Sequence, residues 1–150
     1  MVAILLAKIY FYLNEYDESL SYALRAGNYF EVNGPQNDFT DVLIHKAIEK
    51  YIKNSQEGID HAEQKQYKKI VDIAIENSIS KNDLKCPLGI SLDTKDEQLF
   101  SRVAGLMEVH KLIESLLPHL LSIDISFRGT ILEIVTKQLC FSNQCIFLIT

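Results

Sequence analysis

Tryptophan is absent from the 150 residues, and proline (3), glycine (6) and cysteine (3) are scarce. So few turn-formers, set against abundant Leu and Ile, suit an all-helical domain better than a sandwich or barrel. An excess of positive charge is also missing. Lys and Arg total 15 against 20 Asp and Glu, a net charge of −5, with both signs mixed in each half. Nucleic-acid and anionic-membrane surfaces want a basic face, so neither is expected as a partner. No stretch approaches the ~20 apolar residues of a membrane span. Met1 to Ala7 is apolar but lacks the basic leader and long apolar run of a signal peptide.

Cys86, Cys140 and Cys145 are an odd number without a dense framework, which reads as reduced thiols in an intracellular protein. Absence of any Asn-x-Ser/Thr acceptor fits that reading. Cys140 and Cys145, five apart in an apolar stretch, read as buried apolar thiols. No Gly-x-Ser-x-Gly elbow occurs, since Gly89-Ile90-Ser91-Leu92-Asp93 breaks it at the last position. No phosphate-binding glycine loop occurs either. Of the histidines (His45, His61, His110, His119), His45 stands at i, i+4 from Glu49 and could in principle share a metal with it. A metal needs a third ligand, and none is evident, so an exposed polar pair is the expectation. No catalytic, cofactor-binding or metal-ligating residue is assigned, no cofactor or small-molecule substrate is expected, and the binding residues are left open.

What is present is helical periodicity. Leu6, Ile9, Tyr10 and Leu13 fall at the i, i+3, i+4, i+7 spacing of one face, and Tyr16, Leu20, Ala23 and Leu24 repeat it. Asn14 lies between them, the non-glycine residue that best tolerates a left-handed helix end. Asp17 is placed to cap the second helix, and Gly27 to end it. The pattern predicts a tight antiparallel helical hairpin, the unit of a helical solenoid. Tyr10, Tyr12, Tyr16 and Tyr22 are expected to pack in its seam with hydroxyls at the rim, rather than line a peptide groove.

Beyond Gly27, Asn28–Val32 reads as a short connector and Asn33–Asp38 as a turn-rich loop. Asp38 or Thr40 caps a helix from about Phe39 to Asn54, with Val42, Leu43, Ala47, Ile48 and Tyr51 as its stripe. Ser55–Gln66 reads as a solvated loop. A helix from about Gln64 to Ser80 buries Tyr67, Ile70, Val71, Ala74, Ile75 and Ile79, while Lys65, Lys68 and Lys69 form a solvated face. Pro87 opens a short helix to Leu92, and Gly89 suggests close approach of a neighbour. Asp93 or Thr94 caps a helix over 95–104, ended by Gly105. Met107–Leu121 is helical, with Pro118 kinking or shortening it. Phe127–Cys140 is helical, with Ile131, Leu132, Ile134, Val135 and Leu139 inward, and residues 143–149 are helix or strand.

Glu15-Tyr16-Asp17-Glu18-Ser19 and the following Leu20-Ser21-Tyr22-Ala23-Leu24 look like the second half of a tetratricopeptide-type hairpin. Ala7 to Val32 as a whole closely resembles the N-terminal helical region of the 26S proteasome non-ATPase regulatory subunit 1 family, the largest non-ATPase subunit of the regulatory particle. The tyrosine-rich helix, the Glu-Ser-Leu turn and the Tyr-Ala-Leu…Ala-Gly ending carry the resemblance. Leu88-Gly89-Ile90-Ser91-Leu92-Asp93-Thr94 with Leu99-Phe100, the Phe127-Arg128 helix opening and Cys140 to Leu148 are similar to further family segments. Pro87 departs from the family's helix-compatible residues, Gln56–Gln66 is shorter than its acidic loop, and its toroid of repeats is missing here. The resemblance implies one α-solenoid segment over 1–150, part of a longer chain, with a flexible loop at 55–66. It implies a non-catalytic scaffold that touches other regulatory-particle subunits in cytoplasm and nucleus and supports ubiquitin-dependent degradation. The alternative is a free-standing tetratricopeptide-like adaptor that holds a peptide in a concave groove. Apolar stretches at both ends predict self-association or dependence on neighbours.

Overall fold

A computed structural model describes residues 2–27, 30, 37–58 and 62–147, with the side chains of 62, 63 and 141–147 outside that description. Among the described residues the chain is all-α, with eight helices and no strand. They are α1 (Val2–Tyr12), α2 (Tyr16–Ala26), α3 (Asp38–Glu57), α4 (Ala62–Ser80), α5 (Lys85–Thr94), α6 (Glu97–Leu106), α7 (Val109–Leu116) and α8 (Ile125–Phe147). Residues 1–77 and 78–150 form two compact units.

In the first unit, α1 and α2 make the expected hairpin. Asn14 takes φ 61°, and the Asn14 amide donates to the Phe11 carbonyl while the Glu15 amide donates to Tyr10. A left-handed residue at that point frees the chain to reverse. Gly27, at φ 54°, ends α2, as its amide donates to Leu24. The seam, however, is not the expected one. Leu13 is 62% and Ile9 47% exposed, whereas Ala7 is fully buried. Small residues let the two backbones approach, and Ser19 Oγ donates a 2.7 Å hydrogen bond to the Ala7 carbonyl at the contact. The core of the unit joins Ala7, Leu20, Ala23, Leu43, Ala47, Tyr67 and Ile70.

The α3 cap is Asn37, which precedes both expected candidates and accepts from the Thr40 amide at 2.9 Å and the Thr40 hydroxyl at 3.1 Å. The helix runs through Glu57 and stops at Gly58, which is left-handed at φ 67°. Residues 55–57 therefore continue α3 and 62–66 open α4, while 59–61 lie outside the described residues. So do most of the Asn28–Val32 connector and the Gly34-Pro35 turn. Asn54 Nδ2 donates to Gln64 Oε1, and Gln64 Nε2 donates to the Tyr51 carbonyl, tying α3 to α4.

In the second unit, Phe100, Val103, Ala104, Leu112, Leu116, Phe127, Ile131 and Val135 pack with Leu88 and Ile123 into one core. Pro87 is buried within the first turn of α5, where its missing N–H leaves no helical bond unmade. The α6 cap is Asp96, not Asp93 or Thr94. Asp96 Oδ1 accepts from the Gln98 and Leu99 amides, each at 3.0 Å. A left-handed Lys95 between α5 and α6 makes room for it. Gly105 does not end α6, which continues to Leu106. Pro118 does shorten the following helix: α7 stops at Leu116, and Leu117 is exposed. α8 continues helical to Phe147, but Leu132 and Leu139 on it face outward.

Candidate interaction surfaces

Among the described residues, no group of three His, Cys, Asp or Glu is placed to hold a metal ion. His45 is exposed, and Glu49 pairs with Lys46 at 3.2 Å instead. His110 Nε2 stands 3.5 Å from Glu108. His61 and the Cys145 side chain lie outside the described residues. Cys140 is exposed rather than buried, because it lies away from the Ile131–Val135 face of α8. Cys86 is half-buried, and burial pushes its thiol up, against a lowering hydrogen bond with Ser78. A raised thiol carries less thiolate, the reactive form.

Asp17 does not cap α2, whose start carries no side-chain cap bond. It reaches across to α3 instead, 3.0 Å from Lys50 Nζ and 3.9 Å from Lys46 Nζ. The tyrosines divide. Tyr10 and Tyr22 stack at 5.2 Å with Arg25 over the Tyr22 ring, and Tyr16 donates to Asn14 Oδ1. Tyr12 is 81% exposed. Lys65, Lys68 and Lys69 are exposed as expected.

Among the described residues, three open surfaces stand out. On α1, Val2, Leu5, Ile9, Tyr12 and the adjoining Leu13 expose an apolar stripe. On α8, Ile125, Leu132 and Leu139 recur every seventh residue and are exposed. Periodicity alone misplaced both, because a helix rich in apolar residues offers more than one plausible inner face. The third is a groove of about 790 Å³ in the second unit, between α5 and α7. Leu84, Leu88 and Leu92 floor it, with Leu106 and Met107 at one side. Gly89 opens onto it: an added Cβ there would meet nothing within 4 Å, so close helix packing is not its role. Charges rim it, including Asp83, Lys85, Glu114 and the Glu108–Lys111 ion pair at 2.9 Å. The Lys111 hydrogen bond and charge hold the Glu108 carboxyl below its ordinary value. Among the described residues no helix is long and apolar enough to cross a membrane.

Among the described residues, helices packed in antiparallel pairs with apolar faces open to solvent define an all-α, solenoid-like domain. Comparison with known proteins gives the family. Residues 1–148 match the 26S proteasome subunit RPN2, N-terminal domain, and the chain belongs to that family. It is 30% identical over 99 residues to the 26S proteasome non-ATPase regulatory subunit 1 of Drosophila melanogaster, covering 63% of this chain and 10% of the relative. The 26S proteasome regulatory subunit RPN2 of Saccharomyces cerevisiae is 30% identical over 101 residues, covering 62% and 11%. The Schizosaccharomyces pombe rpn2 matches further, at 25% identity over 144 residues, 92% of this chain and 15% of the relative. The chain thus spans between a tenth and a seventh of the length of these relatives.

Proposed function

We propose that this chain is a non-catalytic scaffold segment of the 26S proteasome regulatory particle. The family match along residues 1–148 carries the reading. In this reading the chain works by shape. Helices locked pairwise by side-chain and backbone bonds hold apolar faces at set positions, and neighbouring regulatory-particle subunits seat on those faces. The chain then supports ubiquitin-dependent degradation from the cytoplasm and nucleus without acting on substrate chemically.

The test is affinity purification of the tagged chain from cells, followed by mass spectrometry. Regulatory-particle subunits should co-purify in defined ratio, and in vitro the purified chain should bind at least one of them. A folded chain that recovers none of them sinks the scaffold reading. The adaptor alternative draws on the α5–α7 groove, whose apolar floor and charged rim suit a short peptide segment. It expects a peptide from a library to bind there, with Gly89→Leu blocking it while leaving the helical content unchanged.

A further inference from the structure

We propose that the α5–α7 groove takes a short extended peptide of another protein, with two aliphatic residues at alternate positions and a flanking Lys or Arg. This rests on the groove used by the adaptor reading and names the class of peptide that fills it. Every wall of the groove comes from residues between Asn82 and His119, inside the second unit. Its volume of about 790 Å³ is that of a short-peptide site rather than of a domain interface.

A glycine inside a helix costs stability relative to alanine, and neither usual structural reason for one applies to Gly89. Its backbone is not in the left-handed region, and an added Cβ would meet nothing within 4 Å. The remaining reason is the close approach of a backbone from outside the chain. Leu84, Leu88 and Leu92 form a row beside it on the groove floor, spaced about 6 Å apart along α5. Alternate side chains of an extended chain repeat at about 6.6 Å. A peptide running along α5 therefore sets an aliphatic side chain beside each of two successive leucines while its backbone passes over Gly89.

Charge selects the flanking residue. The rim carries Asp83, Glu108 and Glu114 against Lys85 and Lys111. Lys111 is held by Glu108 at 2.9 Å, although Glu114 lies one turn further along the same helix. Asp83 and Lys85 carry opposite charges close together at the start of α5. Glu114 is exposed and makes no ion pair among the described residues. One carboxylate is thus left without a cation at the edge of an apolar floor, and a Lys or Arg beside the aliphatic pair supplies it. An acidic flank would meet Glu114 with like charge.

Fluorescence anisotropy on the 150-residue chain tests the proposal, with labelled hexapeptides Ser-Leu-Ser-Leu-X-Ser in which X is Arg, Ser or Glu. The Arg peptide should bind with a Kd of about 100 μM or tighter, about threefold ahead of Ser and further ahead of Glu. Glu114→Lys, at an exposed position, should invert the order of the Arg and Glu peptides. Gly89→Leu should weaken every peptide about tenfold or more, with an unchanged far-ultraviolet circular dichroism spectrum, and Leu132→Glu on α8 should weaken none. Gly89→Ala should raise the thermal midpoint by about 4 °C while weakening the Arg peptide. The proposal fails if no peptide binds at about 1 mM, if Gly89→Leu leaves binding intact, or if Glu114→Lys leaves the order unchanged. Equal binding of all three peptides, lost in Gly89→Leu, would keep the adaptor reading and overturn this one.

Discussion

The hydroxyl of Ser19 donates to the backbone carbonyl of Ala7 across 2.7 Å, and both residues are fully buried. The bond joins α1 and α2 across their seam. A carbonyl already used by its own helix takes a second donor there, and the serine side chain is small enough to let the backbones meet. A larger residue must push the helices apart.

Ser19→Ala should therefore cost about 1 kcal/mol, the net worth of one buried hydrogen bond. Ser19→Leu should cost more, about 2–3 kcal/mol, by overpacking. Urea denaturation followed by circular dichroism gives both. Equal stability of the Leu variant and wild type would mean that the seam is looser than described.

Asp17 and Lys50 are 55% and 34% exposed at 3.0 Å. Solvent screens such a pair, and Asp17→Asn should change stability by no more than about 0.5 kcal/mol, less in high salt. A helix cap at the same position would be worth about 1 kcal/mol. A loss of that size, insensitive to salt, would restore the capping role that the sequence suggested for Asp17.

Asp96 accepts two amide hydrogen bonds at the start of α6. Asp96→Ala should destabilise by about 1 kcal/mol, and Asp96→Asn should recover most of that. The flanking Asp93→Ala should have little effect. Reversal of that order in thermal or urea unfolding would move the cap back to Asp93.

Asp124, at the start of α8, has its carboxyl held below the ordinary value, first by the Ser126 hydroxyl and then by the Lys95 charge. Glu133 is lowered by its hydrogen bond and charge contact with Lys137. A carboxyl with a lowered folded pKa stabilises above its unfolded pKa, and that contribution is lost as pH falls through the folded one. Stability should thus decline as pH falls below about 4.5. Ser126→Ala should raise the Asp124 titration midpoint in carboxyl-resolved NMR. An unmoved midpoint would show that the hydroxyl is not the cause.

Thiol reactivity should split in a Cys145→Ser background. Cys140 is exposed, whereas burial raises Cys86. Near pH 8, alkylation monitored by mass spectrometry should modify Cys140 well before Cys86. Equal rates would contradict the half-buried environment of Cys86.

Local signals in the sequence determined a good part of this protein. Asn14 and Gly27 punctuate the first hairpin because few residues tolerate positive φ, and the chain around them has helical period on both sides. Pro118 ends α7 because a helix interior cannot spare its amide or hold its ring. The motifs spread from Ala7 to Leu148 pointed to the family that the match over 1–148 then gave.

Tertiary packing decided which faces turn inward. α1 is apolar nearly all round, so periodicity could not choose between Leu6-Ile9-Leu13 and the Ala7 side. The choice fell to Ala7 because Ser19 could reach its carbonyl, and that left Ile9 and Leu13 outside. Long-range partners were likewise invisible locally: Asp17 looked like a cap until α3 brought Lys50 beside it. Caps such as Asn37 and Asp96 shifted by one to three residues because loop geometry selects which side chain meets the free amides. What the structure adds to the family assignment is therefore the set of open surfaces, since exposure depends on what packs against each helix and not on its own residues.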